Sequence, residues 1–350
     1  MRINARRLRA GCGALFRVRR PAQLPLHLHI EPTNFCNYDC IMCYHKTVIS
    51  HPVHMPMIMF KNIIEQAEPE YVSLNGYGEP FLHPNFFDMV RFLTDRGIKC
   101  NTTTNGSLLA AHIDDCLQSG IELVSVSLDA GSSETYAAVR RKNNFPKILD
   151  AMRNLIHDRG NELYPRLRAS FVIHRTNSKE MVRFVESMTE VGVDSLLFQP
   201  YLEIQQTSTK EALTSGLSPE EIRSDMLNAQ KIARQCGLHT NLHMLLRQLN
   251  DYLDIQYKRQ PNLRIMRRCV KPWISAFITA DGMVRPCCSF ASVPLDIGWL
   301  DAEGIVQIME GPAMTDFRHK LKKGEPPHWL CERCVPEGFF GMLRNTSFKA

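Results

Sequence analysis

Leu26-His27-Leu28-His29-Ile30-Glu31-Pro32-Thr33-Asn34-Phe35-Cys36-Asn37-Tyr38-Asp39-Cys40-Ile41-Met42-Cys43-Tyr44 is the stretch on which the reading of this 350-residue chain turns. Its first five residues form a short β-rich run, and three cysteines follow at the spacing C-x3-C-x2-C. Three thiolates can ligate three irons of a cubic four-iron cluster and leave the fourth iron open to another molecule. A closed zinc site is the alternative at this point: it needs a fourth Cys or His at short range, and His45 is available.

Working outward, β-rich runs alternate with helical stretches up to about residue 200. The expected strands are Leu26–Ile30, Tyr71–Leu74, Ile98–Thr102, Leu123–Leu128, Arg168–Ile173 and Ser195–Phe198. Between them, apolar residues recur at helical spacing, as in Phe86, Phe87, Met89, Val90, Phe92 and Leu93 before Arg96-Gly97. Repeated βα units build a parallel sheet, so the expected fold class is α/β, a partial (β/α)6 TIM-like barrel. Chemistry in such barrels sits at the C-terminal ends of the strands. That directs attention to Cys36–Cys43, Gly76–Pro80, Thr103–Gly106 and Asp129–Gly131.

Residues 201–262 read as a helical linker that closes the barrel. Its main helix, Ser218–Gln235, opens on Ser218-Pro219-Glu220-Glu221: a capping hydroxyl, a proline in the first turn and acids at the positive end. Residues 263–350 read as a small separate domain of a β-hairpin plus helix. Its strands Ile274–Thr279 and Met283–Arg285 are joined through Ala280-Asp281-Gly282, and Asp-Gly between β-rich runs signals a hairpin. Around it stand Cys269, Cys287, Cys288, Cys331 and Cys334. Four thiols of this group suffice for a fully ligated cluster, with a zinc ribbon as the alternative. The isolated Cys12, Cys100, Cys116 and Cys236 read as small packed residues.

With these motifs in place the chain resembles the radical SAM superfamily, over residues 24–200 for the core and 265–335 for the appendage. Met42 replaces the aromatic residue usual before the third cysteine. The resemblance implies that Cys36, Cys40 and Cys43 hold a [4Fe-4S] cluster that reduces S-adenosyl-L-methionine (SAM) to methionine and a 5′-deoxyadenosyl radical. Gly76-Tyr77-Gly78-Glu79-Pro80 looks like the family's glycine-glutamate motif, placing Gly78 and Glu79 at the amino group of SAM. By the same resemblance Asn105, Ser127 and Asp129 line the SAM pocket, and Arg140, or its neighbour Arg141, meets the SAM carboxylate. The C-terminal pattern is similar to the SPASM domain of peptide maturases in its shorter "twitch" form. Gly282 to Cys287 fits the G-x4-C spacing, which implies one auxiliary [4Fe-4S] cluster on Cys269, Cys287, Cys331 and Cys334. The role of Cys288 stays open, and no catalytic side chain is singled out. Tyr44, Tyr77, His174 and Gln199 are candidates for a substrate pocket and equally for packing.

The expected activity is hydrogen abstraction from a peptide or a small hydroxylated metabolite, leading to dehydrogenation, crosslinking or epimerisation, with a flavodoxin or ferredoxin as electron donor. Charge points to a second reading. The net charge of +6 is concentrated in residues 1–23, where Arg2, Arg6, Arg7, Arg9, Arg17, Arg19 and Arg20 stand without an acid, so the body is near neutral. That tail suits a leader, a transit segment or contact with an anionic membrane, and with the last comes a lipid or lipid-linked substrate. No run approaches the roughly 20 apolar residues of a membrane span. The expected location is the cytoplasm, with or without membrane contact. A near-neutral body, and a basic patch without interleaved aromatics for base stacking, argue against nucleic acid as a partner. A non-enzymatic zinc protein is the distant alternative.

Overall fold

All six strands expected in the first 200 residues form, in one parallel sheet. They are β1 (His27–Ile30), β2 (Tyr71–Leu74), β3 (Lys99–Thr104), β4 (Leu123–Ser127), β5 (Arg166–Ile173) and β6 (Ser195–Pro200). The computed structural model describes residues 25–201, 218–257, 266, 269–293, 295, 297–300 and 303–335. The expectations for the arginine-rich tail and for the chain beyond Val335 lie outside the described residues. Strand β3 runs two residues further than the pattern suggested, since Thr103 and Thr104 pair with Ser125 and Val126 of β4. β-Branched side chains suit that continuation.

The helices follow the strands as the alternation requires. After β1 come α1 (His45–Val48) and α2 (Met57–Ala67), after β2 α3 (Phe86–Thr94), and after β3 α4 (Ile113–Gln118). After β4 come α5 (Ser133–Arg140) and α6 (Phe145–Arg159), and after β5 α7 (Met181–Val191). Their apolar faces cover one side of the sheet. Leu28, Ile30, Val72, Leu74, Val124, Val126, Leu167, Ala169, Phe171 and Phe198 are buried there with Phe60, Val90, Leu155 and Phe184. At about 1.5–3 kcal/mol per large apolar side chain removed from water, this layer is the main stabilising term of the fold. Side chains alternate along a strand, so the opposite side carries His27, His29, Ser73, Asn101, Ser125, Arg168 and Ser170. The inside of the barrel is polar.

Two features depart from the expected six-strand barrel. The segment after β6 holds α8 (Pro219–Gln235), where the Ser218 hydroxyl accepts a bond from Glu221 N–H at 3.3 Å as anticipated, and α9 (Leu242–Tyr257). Between them a two-residue strand, β7 (His239–Thr240), adds to β6 in parallel. The Asn241 amide secures it, accepting from Phe198 N–H and donating to Phe198 C=O, both at 2.8 Å.

The second departure concerns the hairpin read as a separate domain. After α10 (Lys271–Ile274), β8 (Ser275–Ile278) pairs in parallel with β1, from His27 with Ser275 to Ile30 with Ile278. Strands β9 (Met283–Arg285) and β10 (Gly298–Trp299) then add antiparallel. The result is one ten-stranded sheet in the order β10-β9-β8-β1-β2-β3-β4-β5-β6-β7. The hairpin is continuous with the barrel because Ala276, Phe277 and Ile278 are buried on both sides and need covered neighbours. Helix α11 (Ile305–Glu310) packs on the main core through Ile305, Ile308 and Met309, while α12 (Pro312–Lys323) and α13 (Trp329–Arg333) complete a second core around Trp273, Phe290, Phe317 and Leu330. Arg318 is buried in that region, donating to Pro272 C=O at 2.9 Å and Met309 C=O at 2.8 Å. Among the described residues no helix is long and apolar enough to cross a membrane.

Candidate active site

The loop after β1 is braced before it reaches its cysteines. Thr33 Oγ1 donates to Val53 C=O at 3.2 Å and accepts from Phe35 N–H at 3.1 Å, and Asn34 Oδ1 accepts from Val53 N–H at 2.5 Å. Further on, the Tyr38 hydroxyl meets that of Tyr136 at 3.1 Å and donates to Asn144 at 2.9 Å, anchoring the loop to α5 and the start of α6. Cys40 is buried and Cys36 and Cys43 are half-buried, in a turn where Cys43 N–H donates to Cys40 C=O at 3.2 Å. Burial pushes the Cys43 thiol up to about 11, and the neighbouring Cys40 and Cys36 add to the rise. Such a donor set holds protons until metal displaces them.

Three thiols without a fourth cysteine in the loop fit a four-iron cluster with one open corner. His45, the residue that kept zinc in contention, has its Nε2 at 2.7 Å from Asn34 C=O and is spent on holding the loop. Among the described residues no three His, Cys, Asp or Glu side chains close around a point fit for a single metal ion.

Glu79 lies across the loop, at the end of the turn after β2, and is buried. Its Oε1 accepts from Thr104 Oγ1 at 2.6 Å and Phe81 N–H at 3.2 Å, and its Oε2 accepts from Asn105 N–H at 2.6 Å. A carboxylate has about four acceptor positions, so room for one further donor remains. Burial raises the carboxyl pKa, and these three bonds pull it back. Asn105 in turn donates to Asn37 Oδ1 at 2.8 Å, tying the end of β3 to the cysteine loop. Gly78 is required by contact: a Cβ there would stand 2.1 Å from Thr33 C=O.

On β4, Ser127 Oγ meets Ser170 Oγ at 3.2 Å. Asp129 and Arg140, expected separately in the lining of the SAM pocket and at the carboxylate of SAM, are each other's ion-pair partner. Both are buried, and Asp129 sits in the left-handed region at φ 57°, which turns its side chain back so that Oδ1 accepts from Val172 N–H at 2.7 Å. Arg140 also donates to Cys40 Sγ at 3.4 Å. Burial alone would weaken its proton, and the Asp129 carboxylate and Cys40 sulfur outweigh that, so the guanidinium is held protonated. Arg141, the alternative, points outward to Asp39 at 2.8 Å.

Glu31 was not singled out in the sequence, although it stands at the end of β1. Its buried carboxylate accepts from Tyr77 N–H at 2.7 Å and from Ala280 N–H at 3.2 Å, while its own N–H donates to Ile278 C=O at 2.8 Å. One side chain thus joins the glycine-rich turn to the hairpin turn of the C-terminal region. Burial raises its carboxyl to about 7, against the smaller lowering from these bonds and from Arg285. The native state therefore holds a proton between the unfolded value of 4.5 and about 7 that the unfolded chain has released. Its contribution is complete below pH 4.5 and is lost as pH rises to about 7, about 3 kcal/mol in all. Urea midpoints measured from pH 4.5 to 7.5 are expected to fall less steeply in Glu31→Gln than in the native protein, and parallel curves would exclude this origin.

The second thiol group forms around α10, the short turn at Cys288 and α13. Cys287 is buried and Cys269, Cys288, Cys331 and Cys334 are half-buried. Burial pushes Cys334 up to about 12, with Cys269 and Cys288 close enough to add to the effect. Cys331 moves in the same direction through burial and then through Cys287, Cys269 and Cys334. All five thiols are therefore neighbours, and Cys288 belongs to the group. Four thiolates are the number that a closed four-iron cluster takes.

Comparisons with known proteins agree with this chemistry. The Radical SAM superfamily profile matches residues 30–188, and the SPASM iron-sulfur cluster-binding domain profile matches residues 269–335. The tungsten-containing aldehyde ferredoxin oxidoreductase cofactor-modifying protein of Pyrococcus furiosus is 25% identical over 274 residues, 75% of this chain and 71% of that one. A probable GTP 3′,8-cyclase of Saccharolobus islandicus is 27% identical over 173 residues, 48% of this chain, and the match spans 54% of that relative. Among solved structures, Streptococcus suis SuiB bound to precursor peptide SuiA aligns with a TM-score of 0.67 at 16% identity, over 97% of this chain and 77% of that one. The structure of anSMEcpe with bound AdoMet aligns with a TM-score of 0.65 at 17% identity, over 92% and 95%. The chain belongs to the radical SAM superfamily and carries a SPASM-type domain at its C-terminal end. Its cofactors are SAM, the [4Fe-4S] cluster that goes with it and an auxiliary iron-sulfur cluster.

Proposed function

We propose that the protein abstracts hydrogen from an unactivated carbon of a peptide or a small hydroxylated metabolite, with a dehydrogenation, crosslink or epimerisation as the outcome. The observation that carries this reading is the group of three thiols, Cys36, Cys40 and Cys43, facing the Glu79–Asn105 network at the C-terminal ends of β1, β2 and β3. Those three thiols would hold the SAM cluster; Gly78 and Glu79 would receive the amino group of SAM, and Asn105 and Ser127 would line its pocket. When bound, the cluster and SAM supply one-electron cleavage to methionine and a hydrogen-abstracting 5′-deoxyadenosyl radical. The Asp129–Arg140 pair fixes Cys40, and the Tyr38–Tyr136–Asn144 bonds keep the loop closed against water.

The auxiliary cluster would sit on Cys269, Cys287, Cys331 and Cys334 and accept the substrate's second electron, with a flavodoxin or ferredoxin as the outside donor. The peptide reading draws support from the precursor peptide bound by SuiB, a protein of the same fold. The test is Cys331→Ala/Cys334→Ala after anaerobic reconstitution with dithionite and SAM. Iron is expected to fall from about eight to about four per chain while 5′-deoxyadenosine still forms. Unchanged iron content would remove the auxiliary cluster from these residues.

A further inference from the structure

Arg168 stands inside the barrel on β5, opposite Ser125 of β4 and Ser195 of β6. Its Nε donates to Ser125 Oγ at 3.1 Å, and it has no acidic partner among the described residues. Partial desolvation by the surrounding strands lowers its pKa to about 10, with no carboxylate to offset it. Arg168 is half-buried, and a guanidinium held in the lumen by one hydroxyl has donors left over that an oxyanion entering the barrel would satisfy.

The surroundings say what. Tyr71 of β2 is close enough to act on Arg168 electrostatically. The Tyr71 ring meets that of His27 at 5.1 Å, and His27 meets His29 at 4.1 Å. His27 also bonds Ser73 Oγ at 2.9 Å. Two further buried polar atoms on these strands, His29 Nε2 and Asn101 Oδ1, have no hydrogen-bond partner. Desolvation lowers the pKa of both histidines, His27 to about 3, so they are neutral, and Lys271 adds positive charge beside them. Glu122, the carboxylate near Tyr71, is paired with Lys99 at 2.5 Å. The lumen is thus polar and cationic, and among the described residues no carboxylate meets Arg168 there. It lies one inward-facing layer below Ser127 and Ser170, about 7 Å along the strands from the pocket assigned to SAM.

We propose that Arg168 is a substrate-anchoring residue that takes an oxyanion, a carboxylate or a phosphate, in bidentate contact at the floor of the barrel. The substrate is then an anionic molecule whose reacting carbon stands above that group, toward the C-terminal ends of the strands. This rests on the reading that the mouth of the barrel is the reaction centre, yet its test needs no turnover.

Thermal unfolding of the reconstituted protein in acetate and in phosphate, each against chloride at equal ionic strength, reads the site directly. The native protein is expected to gain about 2 °C in the anion that fits, which also tells carboxylate from phosphate. Arg168→Met should lose that gain while still unfolding cooperatively in chloride, because it removes the guanidinium that would hold the anion. Arg168→Lys, which keeps charge and fold but not the fork, should show less than half the gain and decides the matter if the methionine variant fails to fold. An equal anion effect in all three proteins, none in the native protein, or a full gain in Arg168→Lys overturns the assignment. Absence of SAM cleavage in the native protein, with its anion response present and lost in Arg168→Met, would instead count against the reaction centre and leave the anchoring role standing.

Discussion

Replacing Cys36, Cys40 and Cys43 together with alanine is expected to lower iron and acid-labile sulfide from about eight to about four per chain and to abolish 5′-deoxyadenosine formation. The two halves of that result depend on separate features. The iron that remains belongs to the C-terminal thiols, whose surroundings, Trp273, Phe290, Phe317 and Leu330, form a core of their own away from the cysteine loop. The lost activity follows because His45 and Glu79 are already bonded and offer no replacement ligand set. Zinc without sulfide in the native protein, or iron indifferent to the triple substitution, would refute the assignment.

Asp129→Ala is expected to cost about 3–5 kcal/mol, enough to threaten folding, because it leaves Arg140 charged and buried with no carboxylate. It also frees Val172 N–H and puts alanine at φ 57°, where a Cβ is strained. Asp129→Asn separates these terms: asparagine tolerates that conformation and can still accept from Val172, so its cost isolates the charge. Adding Arg140→Met to Asp129→Asn should recover much of the loss, since an apolar replacement of both partners removes the unpaired charge. Urea midpoints of the native protein, Asp129→Asn, Arg140→Met and the double variant give the coupling. No recovery in the double variant would mean that Arg140 matters through Cys40 alone.

The cysteine loop and the six strands were legible in the sequence for a physical reason. Thiols that share a cluster must lie close along the chain or at matched turns, and a strand covered on one face by helices shows its apolar residues at once. Glu79 was legible only through the resemblance of Gly76–Pro80 to a family motif, whereas the contact of Gly78 with Thr33 C=O that requires a glycine there was not. The pairing of Asp129 with Arg140 was not, because nothing local reveals that a residue after β4 turns back through a left-handed conformation. Glu31 was missed for a similar reason: its partners, Tyr77 and Ala280, are 46 and 249 positions away. Strand β7 was too short to show a period. Arg168 read only as the first residue of an expected strand, and its meaning depends on which acids fail to reach it.

The parallel pairing of β8 with β1 also sets a timetable for synthesis. Strand β1 ends at Ile30 and its outer partner begins at Ser275, so one edge of the first strand must wait for some 245 residues to be made. At ribosomal speeds that is on the order of ten to fifty seconds. For that interval the growing chain offers an open strand edge beside its cysteine loop, the kind of surface on which chains associate wrongly. Iron delivered during that time would meet a loop whose Glu31 anchor to the hairpin does not yet exist, so cluster insertion is best matched to the released, full-length chain.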